Sequence, residues 1–225
     1  MIQNLQTPLE NGEKLSREEF LRRWEAMPQT KFAELIGGFV YMPSPLSRTH
    51  GKFDHMISTW LGVYQGATPG CEGASNSTWL MLDDSPQPDN DLRILPEYGG
   101  KSRNSGKYPC GVPEFLAEIC DSSASYDLHQ KLDLYQQAGV DEYLAILVQE
   151  HEIRWHRLVN GLYETMPSPV DGVYRSIVFP GLWLNGKALL EDNLAQVLET
   201  LNEGIRSPEH AAFIARLAAQ RVSRQ

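Results

Sequence analysis

The sequence predicts a single α/β domain that ends in a helical tail, and three observations lead to that prediction. Helical periodicity and short apolar runs alternate along most of the chain. Residues 115–120 form a nearly continuous apolar run, which is typical of a central strand covered on both faces. From about residue 186 the pattern is helical. We therefore expect a flexible N-terminus over residues 1–15, one domain over residues 16–200 and a helical extension over residues 201–225.

The N-terminal half is expected to contain two helices and a hairpin. Ser16 and Glu19 form a capping box, so a helix should begin there. Two glycines at residues 37–38 separate short apolar runs, which indicates a β-hairpin with a tight turn. A second helix is predicted over about residues 49–64, because its apolar side chains and His50 recur on one helical stripe.

The remaining strands are predicted from apolar and β-branched runs bounded by turn residues. A helix should follow the central strand and end at Gly139, since glycine often terminates helices. The predicted strands cover residues 78–82, 91–95, 142–148 and 152–158, and the helix covers about residues 125–138.

Composition limits where the protein works and what it binds. Hydrophobic residues make up 41% and charged residues 22% of the 225 residues, as in an ordinary globular domain. Three scattered cysteines argue against a disulfide framework and favour a reducing cytoplasm. The N-terminus lacks the apolar core of a signal peptide, and no run approaches the ~18 apolar residues of a membrane helix. The net charge of −9 disfavours a protein that coats DNA with a broad basic surface.

Glu118 lies inside the apolar run of the predicted central strand. Burial of an ionised carboxylate without a partner is very unfavourable, so Glu118 requires a cation or a cluster of hydrogen-bond donors. Two interpretations stay open at this point. Glu118 either forms an ion pair with an arginine such as Arg154, or it is a metal ligand.

Lys131 falls within the apolar stripe of the predicted helix, on the face that carries Leu132 and Tyr135. Its ammonium either extends to the solvent at the rim of the helix or points toward a negative group on the sheet. In the second case the negative group is a bound phosphate or the carboxylate of Glu118.

Four further residues are weaker candidates when each is taken alone. Glu34 shares a strand face with apolar neighbours, and His50 opens the stripe of the second helix. Asp89 follows a proline at the start of a strand, and Asp91 would share its face. The ordinary interpretations are a solvated glutamate, a structural core histidine and turn aspartates.

Taken together, these residues predict a site for phosphodiester hydrolysis. Two carboxylates on neighbouring strands can hold a hard divalent cation, Mg²⁺ or Mn²⁺, through oxygen ligands. A lysine beside them can orient water and stabilise charge on a phosphate. The cation would act as a Lewis acid.

The order and spacing of these residues resemble the Uma-type family of putative restriction endonucleases, which is placed in the PD-(D/E)XK nuclease superfamily. The resemblance covers roughly residues 16–200. The similar segments are Pro88-Asp89, Ala117-Glu118-Ile119, residues 122–127, Lys131, Tyr135, Gly139-Val140, Glu142-Tyr143, residues 34–38, residues 42–45 with His50, and residues 179–184.

The resemblance implies a restriction-endonuclease-like mixed central sheet flanked by helices, with the site at one end of the sheet. It implies that Asp89 and Glu118 are the two sheet carboxylates of a metal site. Glu34 would complete that site as a third acidic ligand, and His50 would lie nearby among the catalytic residues.

The chain departs from the superfamily pattern at one position. Cys120 stands two residues after Glu118, where the superfamily usually has its lysine. The resemblance implies that Lys131, on the following helix, takes that catalytic role. Asp91 has no clear counterpart in the pattern.

The favoured interpretation is a cytoplasmic, Mg²⁺-dependent DNA endonuclease that contacts DNA transiently, with a homodimer expected by analogy with enzymes that cut both strands. A catalytically silent nuclease-fold binding or regulatory module is the alternative, which the acidic net charge favours. A nucleotide hydrolase is disfavoured because the sequence has no glycine-rich phosphate-binding motif. Zinc binding by His151 and His156 is rejected, since their spacing places them on opposite strand faces. The loop over residues 96–113, which carries Lys101, Arg103 and Lys107, is the best candidate for contact with DNA beside the metal, and an ordinary solvated loop is the alternative.

Overall fold

The computed structural model describes residues 7–121 and 127–222, and a six-stranded sheet forms its centre. A 3₁₀ turn (Pro96–Tyr98) follows the fourth strand, and a π-helical turn (Asp127–Lys131) leads into the third helix. In chain order the elements are α1 (Arg17–Glu25), β1 (Glu34–Ile36), β2 (Phe39–Tyr41), α2 (Arg48–Ala67), β3 (Cys71–Ser75), β4 (Asn90–Ile94), β5 (Arg103–Ser105), β6 (Tyr108–Cys110), β7 (Phe115–Cys120), α3 (Leu132–Ala138), β8 (Glu142–Leu147), β9 (Glu152–Val159), β10 (Leu162–Thr165), β11 (Val173–Arg175), β12 (Trp183–Asn185), α4 (Gly186–Leu190), α5 (Leu194–Ile205) and α6 (Pro208–Val222).

The central sheet is mixed, with the strand order β10-β9-β8-β7-β4-β3. β7 and β8 are parallel, and every other neighbouring pair in the sheet is antiparallel. α3 lies in the crossover between the two parallel strands, because a tight turn cannot join parallel neighbours. All residues of β7 and β8 are buried. The predicted mixed sheet flanked by helices is confirmed.

A separate hydrophobic layer covers each face of the sheet. α2 and the C-terminal helices pack on one face, where Trp60, Phe115 and Trp155 make edge-to-face ring contacts. α3 and the segment around Trp79 pack on the other face, together with Leu116. Side chains alternate along a strand, so Glu118, two positions after Leu116, points into this second layer.

α2 begins at a serine cap that fixes the position of its first turn. The backbone of Ser47 is extended, and its side chain accepts a hydrogen bond from the His50 N–H at 3.0 Å. The predicted stripe of this helix is confirmed. Its members His50, Phe53, Ile57, Leu61 and Tyr64 are all buried.

The β1–β2 hairpin turns at Gly37 and Gly38, as predicted, and both glycines have positive φ. The Asp84 carboxylate accepts hydrogen bonds from both glycine N–H groups, at 2.8 and 3.1 Å. Residues 12–15 belong to the segment expected to be flexible, yet they exchange backbone hydrogen bonds with this hairpin. Contacts on two sides therefore hold the hairpin, which carries Glu34.

The predicted strand over residues 78–82 is wrong. Only isolated bridges occur there, and Leu82 has a positive φ where the chain turns back between Met81 and Asp84. Trp79 and Met81 are buried, so the apolar positions of this segment predicted burial correctly, although the backbone is not part of the sheet. β3 forms the sheet edge instead, through pairing with β4. The predicted start of the helix at residue 125 lies outside the described residues.

The C-terminal helices pack into the layer that contains α2. Phe213 and Leu217 of α6 are buried, and Phe213 meets Phe179 edge-to-face. The buried His210 ring contacts Thr68 Oγ1 at 2.9 Å, so its polar atoms are satisfied within this layer. No helix in the described part of the chain has the length and apolar character needed to cross a membrane.

Phe213→Ala tests whether α6 stabilises the domain. The substitution should lower the free energy of unfolding by about 3–5 kcal/mol, because it leaves a cavity in a close-packed layer. Urea denaturation measures the change, and Glu203→Ala, at an exposed position of α5, is the control, expected to stay within about 0.5 kcal/mol of wild type. Wild-type stability of Phe213→Ala would show that α6 does not contribute to the core.

Candidate active site

The strand register brings Asp89 and Glu118 together at one end of the central sheet. Asn90 of β4 pairs with Ala117 of β7, so Asp89, one residue before β4, lies opposite Glu118. The Asp89 backbone N–H donates to Glu118 Oε2 at 3.3 Å. Two carboxylates that are distant in sequence therefore become neighbours through strand pairing.

Glu118 is 2% exposed, and two donors meet one of its oxygens. Lys131 Nζ donates to Oε1 at 2.9 Å, and the Tyr135 hydroxyl donates to the same oxygen at 2.7 Å. Arg154, the arginine considered as a structural partner, is paired with Glu152 instead. A buried lysine, not that arginine, therefore neutralises the carboxylate.

Lys131 points into the protein, toward Glu118, and not to the solvent at the helix rim. Its side chain is only 5% exposed, and Nζ also lies 3.1 Å from Glu34 Oε1. Lys131 is the last residue of the π-helical turn, a feature that often occurs at functional sites. One ammonium thus contacts two carboxylates.

Glu34 joins the site through Lys131, and the neighbouring chain segment holds it in place. Glu34 Oε1 accepts the Gln87 N–H at 2.7 Å, and the Gln87 side chain in turn accepts the Ala33 N–H at 3.1 Å. Gln87 lies two residues before Asp89. These hydrogen bonds connect the β1–β2 hairpin to the segment that precedes Asp89 and helps to position it.

Asp89 is oriented by two contacts on one oxygen. Its Oδ2 accepts the Ile119 N–H at 2.7 Å and lies 3.3 Å from His50 Nε2. Burial acts to lower the pKa of His50, but the hydrogen bond and charge of Asp89, with the charges of Asp54 and Asp121, outweigh it, so the pKa is raised. His50 Nδ1 is buried without a hydrogen-bond partner among the described residues. His50 therefore contacts this group of acidic residues through Asp89.

The sequence interpretation did not assign Tyr135 or Asp54 to this site, although Tyr135 is among the segments that resemble the family. Asp54 Oδ1 accepts a hydrogen bond from Asn90 Nδ2 at 2.7 Å, next to Asp89. Burial raises the pKa of Asp54, and the charge of Asp89 adds to the rise. Helical spacing could have found both, since Tyr135 lies four residues after Lys131 and Asp54 four residues after His50.

Asp91 does not join the group around Glu118, although alternation predicted that it would share the face of Asp89. Its carboxylate accepts the Trp79 indole N–H at 3.0 Å. It lines a separate cavity of about 230 Å³ with Arg93 and Tyr108. Burial raises the pKa of Asp91 to about 7, against the opposing effects of the Trp79 hydrogen bond and the charge of Arg93.

The Asp89–Glu118 pair fits a hard divalent cation. Asp89 Oδ1 receives no hydrogen bond from the residues that the structure describes, and the Asp89 side chain is 14% exposed. In the described ranges, no group of three or more His, Cys, Asp or Glu side chains is arranged to hold a metal. Mg²⁺ commonly uses one or two carboxylates and completes its shell with water and substrate phosphates, so two carboxylates suffice. The predicted role of Glu34 as a third ligand stays a prediction, because in this geometry Glu34 contacts Lys131.

The basic loop does not lie where the sequence interpretation expected it. β4 runs antiparallel to β7, so the loop begins at the end of β4 that is roughly 16 Å from Asp89, at ~3.3 Å per residue. Lys101 is paired with Asp141 at 2.5 Å, and Lys107 lies 3.9 Å from Glu25. The expectation that the loop ends lie beside the metal is wrong.

Comparisons with known proteins agree with this fold. The family described as Uma2, putative restriction endonuclease, matches residues 17–187. A solved structure of a putative nuclease belonging to DUF820 from Anabaena variabilis aligns with a TM-score of 0.62 and 15% sequence identity, over 80% of this chain and 99% of that chain. No match was found among the curated proteins.

Lys131→Met tests the buried charge cluster without any ligand. Methionine keeps most of the apolar stem but leaves Glu118 and Glu34 without their shared ammonium, so the free energy of unfolding should fall by roughly 3 kcal/mol. The double variant Lys131→Met/Glu118→Gln removes both charges of the pair and should recover part of that loss. Denaturation with urea measures all three proteins. A single variant as stable as wild type would show that the ammonium does not neutralise these carboxylates.

Proposed function

The chain belongs to the Uma2 family of putative restriction endonucleases, and on that premise we propose that it is a divalent-cation-dependent DNA endonuclease. The observation that carries this proposal is the convergence of Asp89, Glu118 and Lys131 at one end of the central sheet. Carboxylates from adjacent strands can hold a cation that activates water, and a lysine beside them can stabilise the charge that develops on a phosphate during phosphodiester hydrolysis.

The roles of the residues follow from their contacts. Asp89 Oδ1 and Glu118 Oε2 would hold the cation, which supplies Lewis-acid activation of water and of the scissile phosphate when it is bound. The Lys131 ammonium would stabilise the negative charge that develops on the phosphate during hydrolysis. His50 and the Ile119 N–H keep the Asp89 carboxylate oriented.

DNA as the substrate is part of the proposal, and the charge of the chain limits how DNA is bound. The net charge is −9, and the site itself is rich in carboxylates, so phosphate would be repelled in the absence of a cation. A bound divalent cation removes part of that repulsion locally. We expect contact with DNA to be transient and strongly dependent on the divalent cation.

The proposal includes a cellular compartment, the cytoplasm, and an oligomeric state, the homodimer. The three cysteines are free thiols, which supports a reducing cytoplasm. A homodimer would place two sites against the two strands of a duplex. Light scattering after size-exclusion chromatography tests the dimer.

A silent nuclease-fold module that binds without cleaving is the second candidate. The favouring observation is that Lys131 is already paired with both Glu118 and Glu34. In such a module these contacts would be purely structural. The same cleavage experiment distinguishes the two candidates.

Cleavage of supercoiled plasmid tests the proposal. With Mg²⁺ or Mn²⁺ the wild type should nick or linearise the plasmid, and EDTA should stop the reaction. Glu118→Gln and Asp89→Asn should each lower the cleavage rate by at least ~100-fold, because each removes a carboxylate that would hold the cation.

Glu114→Gln is the matched control. Glu114 is also buried and lies one residue before β7, but it accepts the N–H groups of Ile94 and Lys101 at the far end of the sheet. This variant should cleave at the wild-type rate. Cleavage that persists in EDTA, or that is equal in Glu118→Gln and wild type, would contradict the proposed mechanism. Binding of DNA without cleavage would favour the silent module.

A further inference from the structure

The buried Tyr135 hydroxyl donates a hydrogen bond to a charged group. The side chain is fully buried, and its ring packs edge-to-face on Tyr143 with centroids 5.2 Å apart. Two other tyrosines donate to backbone carbonyls: the buried Tyr64 to Pro180 at 2.9 Å, and the partly buried Tyr163 to Val140 at 3.0 Å. Tyr135 instead donates to the charged carboxylate of Glu118 at 2.7 Å.

The two donors to Glu118 converge on the same oxygen. Lys131 and Tyr135 both donate to Oε1, while Oε2 lies 3.3 Å from the backbone nitrogen of Asp89. The terminal torsion of a glutamate is soft and broad, so a single contact leaves the carboxylate able to rotate. The bonds from Lys131 and Tyr135 to Oε1, together with the Asp89 N–H on Oε2, restrict that rotation and keep Oε2 on the side of Asp89.

We propose that Tyr135 is a positioning residue that orients Glu118 so that Oε2 and Asp89 Oδ1 face one divalent cation. This inference rests on the proposed function, because it assumes that the Asp89–Glu118 pair binds a cation. Tyr135 does not touch the cation or the substrate. It acts through its hydrogen bond to Glu118.

Lys131 could not hold Glu118 and contact a phosphate at the same time, and the Tyr135 hydroxyl takes over the first of these tasks. A lysine that moves toward a phosphate weakens its bond to Glu118, since its flexible stem lets the ammonium change partners. Tyr135 has a rigid ring fixed by packing, and its neutral hydroxyl is not attracted to the phosphate. It therefore keeps Glu118 in place while Lys131 serves the substrate.

The test compares Mn²⁺ dissociation constants measured by isothermal titration calorimetry on the full chain. Tyr135→Phe keeps the ring and removes only the hydroxyl, so it should weaken Mn²⁺ binding by ~10-fold or more, as is typical when a group that orients a metal ligand is lost. Tyr64→Phe is the matched control. It removes an equally buried hydroxyl on the opposite face of the sheet and should leave the dissociation constant unchanged.

A second variant distinguishes orientation from packing. Tyr135→4-aminophenylalanine keeps a hydrogen-bond donor at the same ring position and should restore most of the Mn²⁺ affinity. A purely structural role of the ring predicts no difference between this variant and Tyr135→Phe. If Tyr135→Phe does not fold, the 4-aminophenylalanine variant decides: retained Mn²⁺ binding supports the inference, and a folded protein without Mn²⁺ binding overturns it.

The failure of this inference and the failure of the proposed function give different results. Equal Mn²⁺ affinity in Tyr135→Phe and wild type, with no binding by Glu118→Gln, would overturn the role of Tyr135 and leave the metal site standing. Absence of Mn²⁺ binding by the wild type would overturn both.

Discussion

The candidate site depends on one interaction, the pairing of the Lys131 ammonium with the carboxylates of Glu118 and Glu34. Glu118 and Glu34 are both buried at the same end of the molecule, and two ionised carboxylates could not share that space without a cation. Lys131 Nζ lies 2.9 Å from one and 3.1 Å from the other. Because these residues belong to the central sheet, the β1–β2 hairpin and the π-helical turn before α3, one charge fixes three elements relative to each other.

The two sheet carboxylates differ in their surroundings, although both are proposed to hold the cation. Asp89 is partly exposed and is oriented through Oδ2, which leaves Oδ1 without a hydrogen bond from the described residues. Glu118 is buried and is oriented through Oε1, which leaves Oε2 beside Asp89. A cation between them would meet one oxygen of each carboxylate, while water and phosphate complete its shell. The coordination shell of such a cation would therefore be complete only when substrate is bound.

The sequence singled out most of the residues that meet at this end of the sheet, because several of them violate local patterns. Glu118 and Lys131 were found as charged residues at apolar positions, whereas β7 was predicted from its continuous apolar run and α2 from helical periodicity. Tyr135 gave no such signal, because an aromatic ring fits an apolar stripe and only the hydroxyl has a functional contact. The place of the basic loop was unpredictable for another reason. It depends on β4 and β7 being antiparallel, which is a property of the assembled sheet and not of either segment.

The most direct test of the central claim is an anomalous difference map from a crystal of the protein grown with Mn²⁺. The account predicts one peak within about 2.0–2.3 Å of both Asp89 Oδ1 and Glu118 Oε2, with Lys131 still near Glu118 Oε1. Loss of that peak in a crystal of Glu118→Gln would identify the ligand. A map with no peak between these two carboxylates, or with the ion bound elsewhere in the chain, would contradict the account.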